Sequence, residues 1–256
     1  MRLARVLPWS GDTARCSADE VAALNARFAE ATPSETLGYA AGRFGSRLAV
    51  ACSLGVEDVA VLHMLTEMTA GPRVFVLDTG RLPEETYDLL ERLRARYALP
   101  IELYFPDAVR VESLVRAKGP LSFRRSVEDR RECCAIRKLA PLSRALAVAD
   151  AWVTGLRRGQ STGRAETERF ELDAANDGRL KVNPLAHWTD EQVWRHVREN
   201  DVPYSTLHDA GYPSIGCAPC TRAVAPGEDA RSGRWSWETP EEGRECGLHS
   251  PRRPRH

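Results

Sequence analysis

Arg47-Leu-Ala-Val-Ala-Cys-Ser-Leu-Gly-Val-Glu-Asp-Val-Ala-Val-Leu-His-Met-Leu-Thr-Glu-Met68 decides the fold class. Arg47 to Ser53 is a short apolar run of the kind buried on both faces of a sheet, and from Glu57 to Met68 apolar residues return at helical spacing. Ser53-Leu-Gly-Val-Glu-Asp58 is therefore a strand-to-helix turn. The same alternation continues through a strand at Arg73–Leu77, a helix at Pro83–Tyr97, a strand at Ile101–Phe105 and a helix from about Val109 to Ala117. A helix at Arg137–Val148 and a strand at Ala151–Thr154 complete it. Alternation of this kind needs crossover connections, so it predicts an α/β fold: a mainly parallel sheet with helices on both faces.

Two helices open the chain. One is amphipathic over Val21–Phe28, and the next is announced by the capping box Thr32-Pro-Ser-Glu35 with Pro33 at its first position. Beyond Thr154 the pattern loosens, although Thr189-Asp-Glu-Gln192 opens a further helix to about Glu199. The predicted division is 1–45 for the N-terminal helices, 46–225 for the α/β core and 226–256 for a C-terminal tail. That tail, rich in Gly, Pro, Arg and Glu around Trp235-Ser-Trp237, cannot build a core and is expected to order only over a ligand.

The 256 residues carry 36 basic and 36 acidic side chains, so no net field points to a nucleic acid or a membrane. No apolar stretch is long enough to span a bilayer and Met1–Ser10 has no signal-like core, which predicts a cytoplasmic protein. Seven cysteines without a secretory signal argue for metal-binding or catalytic thiols rather than disulfides. A homo-oligomer is compatible with the sequence.

In the first turn, Gly55 lets a phosphate approach free backbone N–H groups at a helix start; alone, this turn is equally well an ordinary connection. Leu77-Asp78-Thr79-Gly80 ends the next strand on the same sheet edge, where ligands of open α/β sheets bind. Arg157-Arg158-Gly-Gln-Ser161 reaches that rim too, and Arg231 and Arg234 lie in the tail. Each arginine is unremarkable alone, but together they suit planar recognition of a sulfate or phosphate beneath a lid.

Cys52 in a strand, and also Cys16, suit an ordinary buried thiol. Cys217-Ala-Pro-Cys220 has the spacing that lets two thiolates converge on one metal. Cys133-Cys134 is different, because successive side chains diverge around a small ion. A [4Fe–4S] cluster spreads its ligand positions further apart than a lone zinc ion does. The pair, with Lys138 one turn later, is expected at the start of a helix whose dipole favours negative charge. Cys246, with Arg244 and His249 nearby, is a candidate nucleophile, since positive neighbours favour the thiolate.

From about Ser46 to His249 the chain resembles the assimilatory iron–sulfur adenylyl-sulfate reductases of the sulfonucleotide (PAPS) reductase family. The motifs are Ser53 to Asp58, Leu77 to Gly80, Cys133-Cys134 with Arg137-Lys138, Arg157 to Ser161, Cys217-x-x-Cys220, Gly227-Glu-Asp with Arg231 and Arg234, and Glu245-Cys-Gly-Leu-His249. The resemblance implies a modified ATP-pyrophosphatase-like (adenine nucleotide alpha hydrolase-like) domain, with a [4Fe–4S] cluster on Cys133, Cys134, Cys217 and Cys220. It implies that the sheet-edge loops, Ser53, Leu54, Gly55, Glu57, Asp58, Leu77, Asp78, Thr79 and Gly80, take the adenosine and phosphate. Lys138, Arg231, Arg234, His249 and one of Arg157 or Arg158 would surround the phosphosulfate. Cys246 would attack the sulfur of adenylyl sulfate, leaving an S-sulfocysteine that thioredoxin or a glutaredoxin-like dithiol resolves to sulfite, a step of sulfate assimilation and cysteine biosynthesis. The chain departs from the SGGxDS form of ATP-using relatives at Leu54 and Val56, and Gly159 stands where an acidic residue is expected.

Two alternatives remain beside this: reduction of the 3′-phosphorylated nucleotide, and cluster-based sulfur transfer to nucleic acid. The second predicts SGGxDS and a basic face, neither of which is present. A non-catalytic zinc or cluster module would leave Cys246 and the tail arginines without a role.

Overall fold

The computed structural model describes residues 15–68, 72–239 and 247–248. In chain order the elements are α1 (Ala18–Arg27), α2 (Pro33–Phe44), β1 (Leu48–Ala51), α3 (Val56–Thr66), β2 (Arg73–Leu77), α4 (Glu84–Tyr97) and β3 (Ile101–Tyr104). There follow α5 (Ala108–Lys118), α6 (Val127–Cys134), α7 (Ala140–Leu146), β4 (Ala151–Val153), β5 (Phe170–Asp173), β6 (Arg179–Val182) and α8 (Asp190–Glu199). No helix among the described residues is long and apolar enough to cross a membrane.

The sheet runs β3-β2-β1-β4-β6-β5, parallel throughout except for the antiparallel β5–β6 pair. Strand side chains alternate between two cores. Leu48, Val50, Val74, Val76 and Val153 pack with Leu37, Val59, Leu62, Leu89, Val193 and Val197 on one face. Ala49, Phe75 and Trp152 meet Leu142, Ala145 and Leu146 on the other. The expected α/β fold is what forms. Because β1 has β2 on one side and β4 on the other, the crevice between the loops after β1 and β4 is the topological switch point where such sheets bind ligands.

Two features differ from expectation. The β5–β6 hairpin was not foreseen, because β6 reads Arg-Leu-Lys-Val with a charge where a strand should be apolar. Lys181 is nevertheless buried, its ammonium 3.1 Å from Glu171 across the hairpin. The helix expected from Arg137 starts instead at Val127, where the Ser126 hydroxyl accepts from the Asp129 N–H. Cys133 and Cys134 thus lie in its last turn, not at a helix start, and no N-terminal dipole supports them. A π-helical stretch, Ala135–Leu139, links α6 to α7. It stands just ahead of Pro141, which has no N–H to return to Arg137. α6 escaped notice because its buried face is Arg130, Cys133 and Cys134 rather than an apolar stripe.

Part of the tail is ordered against protein. Trp235 is buried with Phe123, Cys133, Ile136, Cys217 and Cys220, between the guanidinium groups of Arg130 (4.6 Å) and Arg234 (4.7 Å). Glu238 ion-pairs with Arg130, both side chains sealed from solvent. Breaking a buried pair leaves an uncompensated charge. Glu238→Ala is expected to lower stability by about 3–5 kcal/mol in denaturant unfolding, while an exposed pair such as Arg94–Glu91 contributes little.

Candidate active site

A cavity of ≈ 430 Å³ opens at the switch point, a size that suits a nucleotide-sized ligand. Its apolar walls include Phe75, Leu77, Leu142, Trp152 and Leu248. Leu54 takes a left-handed conformation (φ 64°) and Gly55 caps α3. The turn thereby presents Ser53, Gly55, Glu57 and Asp58 to the cavity, with Leu54 itself buried in the core.

The turn is closed from within. The Asp58 carboxylate accepts the Ser53 N–H at 2.6 Å, and the Ser53 hydroxyl and Gly155 N–H also point to it. Gly155 must be glycine, since a Cβ there would overlap the Asp58 carboxylate. Burial, reinforced by neighbouring Glu57 but opposed by these hydrogen bonds, pushes the Asp58 carboxyl up to about 6. Glu57 accepts from Arg157 Nε at 3.0 Å and Nη2 at 2.7 Å, and Arg157 reaches Asp190 at 3.0 Å. Cys52 also lines the cavity, its thiol pushed far up by burial and by Asp58, which makes it an inert thiol rather than a nucleophile.

Lys138, Arg231 and Arg234 add cations to the cavity lining. Arg234 is buried, donating to the Ile215 carbonyl at 3.2 Å and the Ser214 hydroxyl at 3.4 Å. It lies so close to Gly216 that any side chain there would collide with the guanidinium. Lys138 and Arg234 form a shared wall, because both also line a second, smaller cavity.

That second cavity is lined by Cys133, Cys134, Cys217 and Cys220 with Arg81, Arg130, Arg137 and Trp235. α6 and its continuation contribute Arg130, Cys133, Cys134, Arg137 and Lys138 at i, i+3, i+4, i+7 and i+8, a single helical face. Thr79 Oγ1 lies 3.2 Å from Cys217 Sγ. Burial pushes the Cys217 thiol up, but Lys138, the Thr79 hydroxyl, Arg234 and Arg81 outweigh it and hold it below the usual range. Burial and the charge of Cys217 push Cys220 up to about 11, and burial raises Cys133. Arg137 Nε, Arg234 Nε and Trp235 Nε1 are buried without a hydrogen-bond partner among the described residues. The lining is therefore rich in donors and thiols and poor in acceptors, which fits an anionic, sulfur-ligated group. Among the described residues no group of His, Cys, Asp or Glu is arranged to hold a single metal ion.

Of the residues singled out from sequence, Ser53, Gly55, Glu57, Asp58, Leu77, Thr79, Lys138, Arg157, Arg231 and Arg234 meet at the first cavity. Asp78 and Gly80 do not line it. Asp78 is buried, accepting from the Gly80 N–H at 2.7 Å and Tyr87 hydroxyl at 3.1 Å, and so shapes the loop. Arg158 turns away to pair with Glu168 and the Thr167 carbonyl. Cys246 and His249 lie outside the described residues; Leu248, between them in sequence, lines the cavity. Gln160, within the Arg157–Ser161 loop, lines it as well; Arg164 and His208 also line it and were missed, as nothing in their local pattern separates them from surface residues.

A family model described as phosphoadenosine phosphosulfate reductase domain matches residues 47–223. The adenosine 5′-phosphosulfate reductase of Allochromatium vinosum is 50% identical over 80% of this chain and 80% of its own. Chloroplastic 5′-adenylylsulfate reductase 3 of Arabidopsis thaliana is 47% identical, over 88% of this chain and 50% of its own. Among solved structures, phosphoadenylyl-sulfate reductase from Candida auris superimposes with a TM-score of 0.69 at 29% identity, covering 82% of this chain and 98% of that one. Yeast FAD synthetase, with a TM-score of 0.54 at 12% identity over 82% and 71%, shares the fold alone.

The Asp58 geometry sets a pH dependence. With a carboxyl raised to about 6, the folded state holds this proton more tightly than the unfolded chain, whose Asp titrates near 3.9. The group favours folding below about pH 4, and that contribution is lost as pH rises through 6. Carbon-detected NMR is expected to show the Asp58 carboxyl titrating with a midpoint near 6; a midpoint in the ordinary Asp range would contradict the burial argument.

Proposed function

The chain belongs to the phosphoadenosine phosphosulfate reductase domain family, and from that premise we propose that it reduces adenylyl sulfate to sulfite and AMP at the expense of a thioredoxin-type dithiol. The reaction is the cytoplasmic step of assimilatory sulfate reduction that leads toward cysteine. One observation carries the reading: Lys138 and Arg234 form a wall common to the nucleotide-sized cavity and the four-cysteine cavity. Leu248 in the first cavity is two residues from Cys246.

In this reading the nucleoside lies at the switch point between the loops after β1 and β4, with the phosphosulfate toward Lys138, Arg231 and Arg234. The Cys246 thiolate attacks the sulfonyl sulfur. A sulfur–sulfur bond forms as the sulfur–oxygen bond breaks, and its electron pair leaves on the AMP phosphate. Both reactants are anionic, so fixed cations are what the step needs, and they act most strongly away from water. His249 and the tail arginines complete that field. A thiolate of the dithiol then attacks Cys246 Sγ and sulfite leaves with the bonding pair. The second dithiol sulfur displaces Cys246, giving a disulfide and restoring the thiolate, so the dithiol supplies both electrons. The segment 226–256 acts as the catalytic tail.

Cys133, Cys134, Cys217 and Cys220 would hold a [4Fe–4S] cluster, supported by their shared cavity and its unpartnered donors. Bound there, the cluster supplies local field and a rigid anchor for the helix that carries Lys138. Adenylyl sulfate is preferred to its 3′-phosphorylated form, as supported by 50% identity to the adenosine 5′-phosphosulfate reductase of Allochromatium vinosum against 29% to the phosphoadenylyl-sulfate reductase of Candida auris.

Replacing any one of the four cysteines by Ser is expected to remove iron and sulfide, measured by metal and sulfide analysis after anaerobic purification. Full retention in two such variants would rule the ligand set out. Wild-type protein given adenylyl sulfate without dithiol should gain one sulfonate on Cys246, read by intact and peptide mass spectrometry. Cys246→Ser should bind nucleotide, keep its iron and form no sulfite; an adduct on Cys52 or Cys16 would disprove the assignment.

A further inference from the structure

The wall that Lys138 and Arg234 form between the two cavities has a further member, for Trp235 also lines both. Its side chain is sealed from solvent. Its backbone takes φ 45°, a left-handed conformation that bulky side chains disfavour. Such a conformation persists only where its surroundings over-determine it, and it gathers at functional sites. Here the surroundings are specific. The Trp235 N–H donates to the Cys220 carbonyl at 3.2 Å, Arg234 forms an antiparallel bridge with Thr221, and the Glu238 N–H donates to the Trp235 carbonyl at 2.9 Å.

Two guanidinium groups share this one indole, with their central carbons 4.6 Å (Arg130) and 4.7 Å (Arg234) from its ring. Indole attracts a cation more strongly than the other aromatic rings do, and the attraction grows away from water. The two cations differ in how else their charge is answered. Arg130 has the Glu238 carboxylate. Arg234 has long hydrogen bonds to Ile215 (3.2 Å) and Ser214 (3.4 Å), and its buried Nε has no hydrogen-bond partner among the described residues. Its remaining neighbour is Gly216, whose lack of a Cβ gives the guanidinium room. Ring and glycine together locate a guanidinium whose charge is left over for a ligand.

We infer that Trp235 is a positioning residue for the reaction: its indole seats the Arg234 guanidinium in the wall of the nucleotide-sized cavity, and Arg234 holds the anionic arm of the substrate only while that seat is kept. An unseated arginine samples many rotamers and must lose that freedom at each binding event, whereas here the freedom is already lost on folding. The inference rests on the reading of the cavity as an adenylyl-sulfate site, but it concerns how one cation is held rather than what is reduced.

Equilibrium binding of adenylyl sulfate to the iron-loaded protein tests it, in a Cys246→Ser background so that no sulfonate transfer intervenes. Trp235→Leu, which keeps apolar bulk without a ring, should weaken binding about tenfold or more. Made together with Arg234→Ala, the same change should alter binding less than about threefold, because the residue it acts through is gone. A Trp235 that merely fills the core would weaken binding equally with and without Arg234. That equality, or no weakening where Arg234 is present, overturns the inference. Should Trp235→Leu lose iron or fail to fold, site-specific replacement of Trp235 by tryptophans of increasing fluorine content decides. Fluorine drains charge from the ring face at nearly constant size, so affinity should fall stepwise, and a flat series overturns the inference. Failure of the Cys246→Ser parent to bind adenylyl sulfate, or full affinity in Arg234→Ala, would instead overturn the reading of the site beneath it.

Discussion

A guanidinium cannot be taken out of water unless something nearby answers its charge, and three of them are sealed around one small space. Arg130, Arg137 and Arg234 are all buried, and each draws a different segment into the site. Arg130 fastens the tail through Glu238 and Trp235. Arg137 donates to the Thr79 carbonyl after β2 at 2.7 Å. Arg234 is seated on the loop carrying Ser214 and Ile215. Desolvation costs several kcal/mol for each unanswered charge, so these partners hold the cysteine cavity in one arrangement.

Cations beside this cavity favour the thiolate at Cys217, which Lys138, Arg234 and Arg81 hold below the usual range, while burial keeps Cys133 and Cys220 raised. A helix dipole at Cys133 and Cys134 was the natural expectation, and the two residues are at the wrong end of α6 for it. Side-chain charge does that work instead, from Arg130, Arg137 and Lys138 on the face that the thiols occupy. Field from side chains can be aimed at one wall, whereas a dipole acts only along its axis.

Legibility in the sequence follows the same division. The parallel core was readable because β1, β2 and β4 are apolar on both faces and α3 and α4 keep helical spacing. Turn chemistry was readable too, since Ser and Thr caps announce themselves. What escaped were elements whose buried faces are charged. Lys181 hid a strand and Arg130 hid a helix, because an ion pair formed with a residue distant in sequence reads locally as solvent-facing polarity. The choice between Arg157 and Arg158 was open for the converse reason. Arg157 is held inward by Glu57, about a hundred residues away, and no local rule says which of two adjacent arginines will find such a partner.

The wall made by Lys138 and Arg234 belongs to two compartments at once. Free-energy effects of altering these residues therefore cannot be added to those of altering either compartment alone, since additivity requires sites without shared partners. A variant at either position reports a sum over two chambers, and only a cycle of paired variants separates its parts.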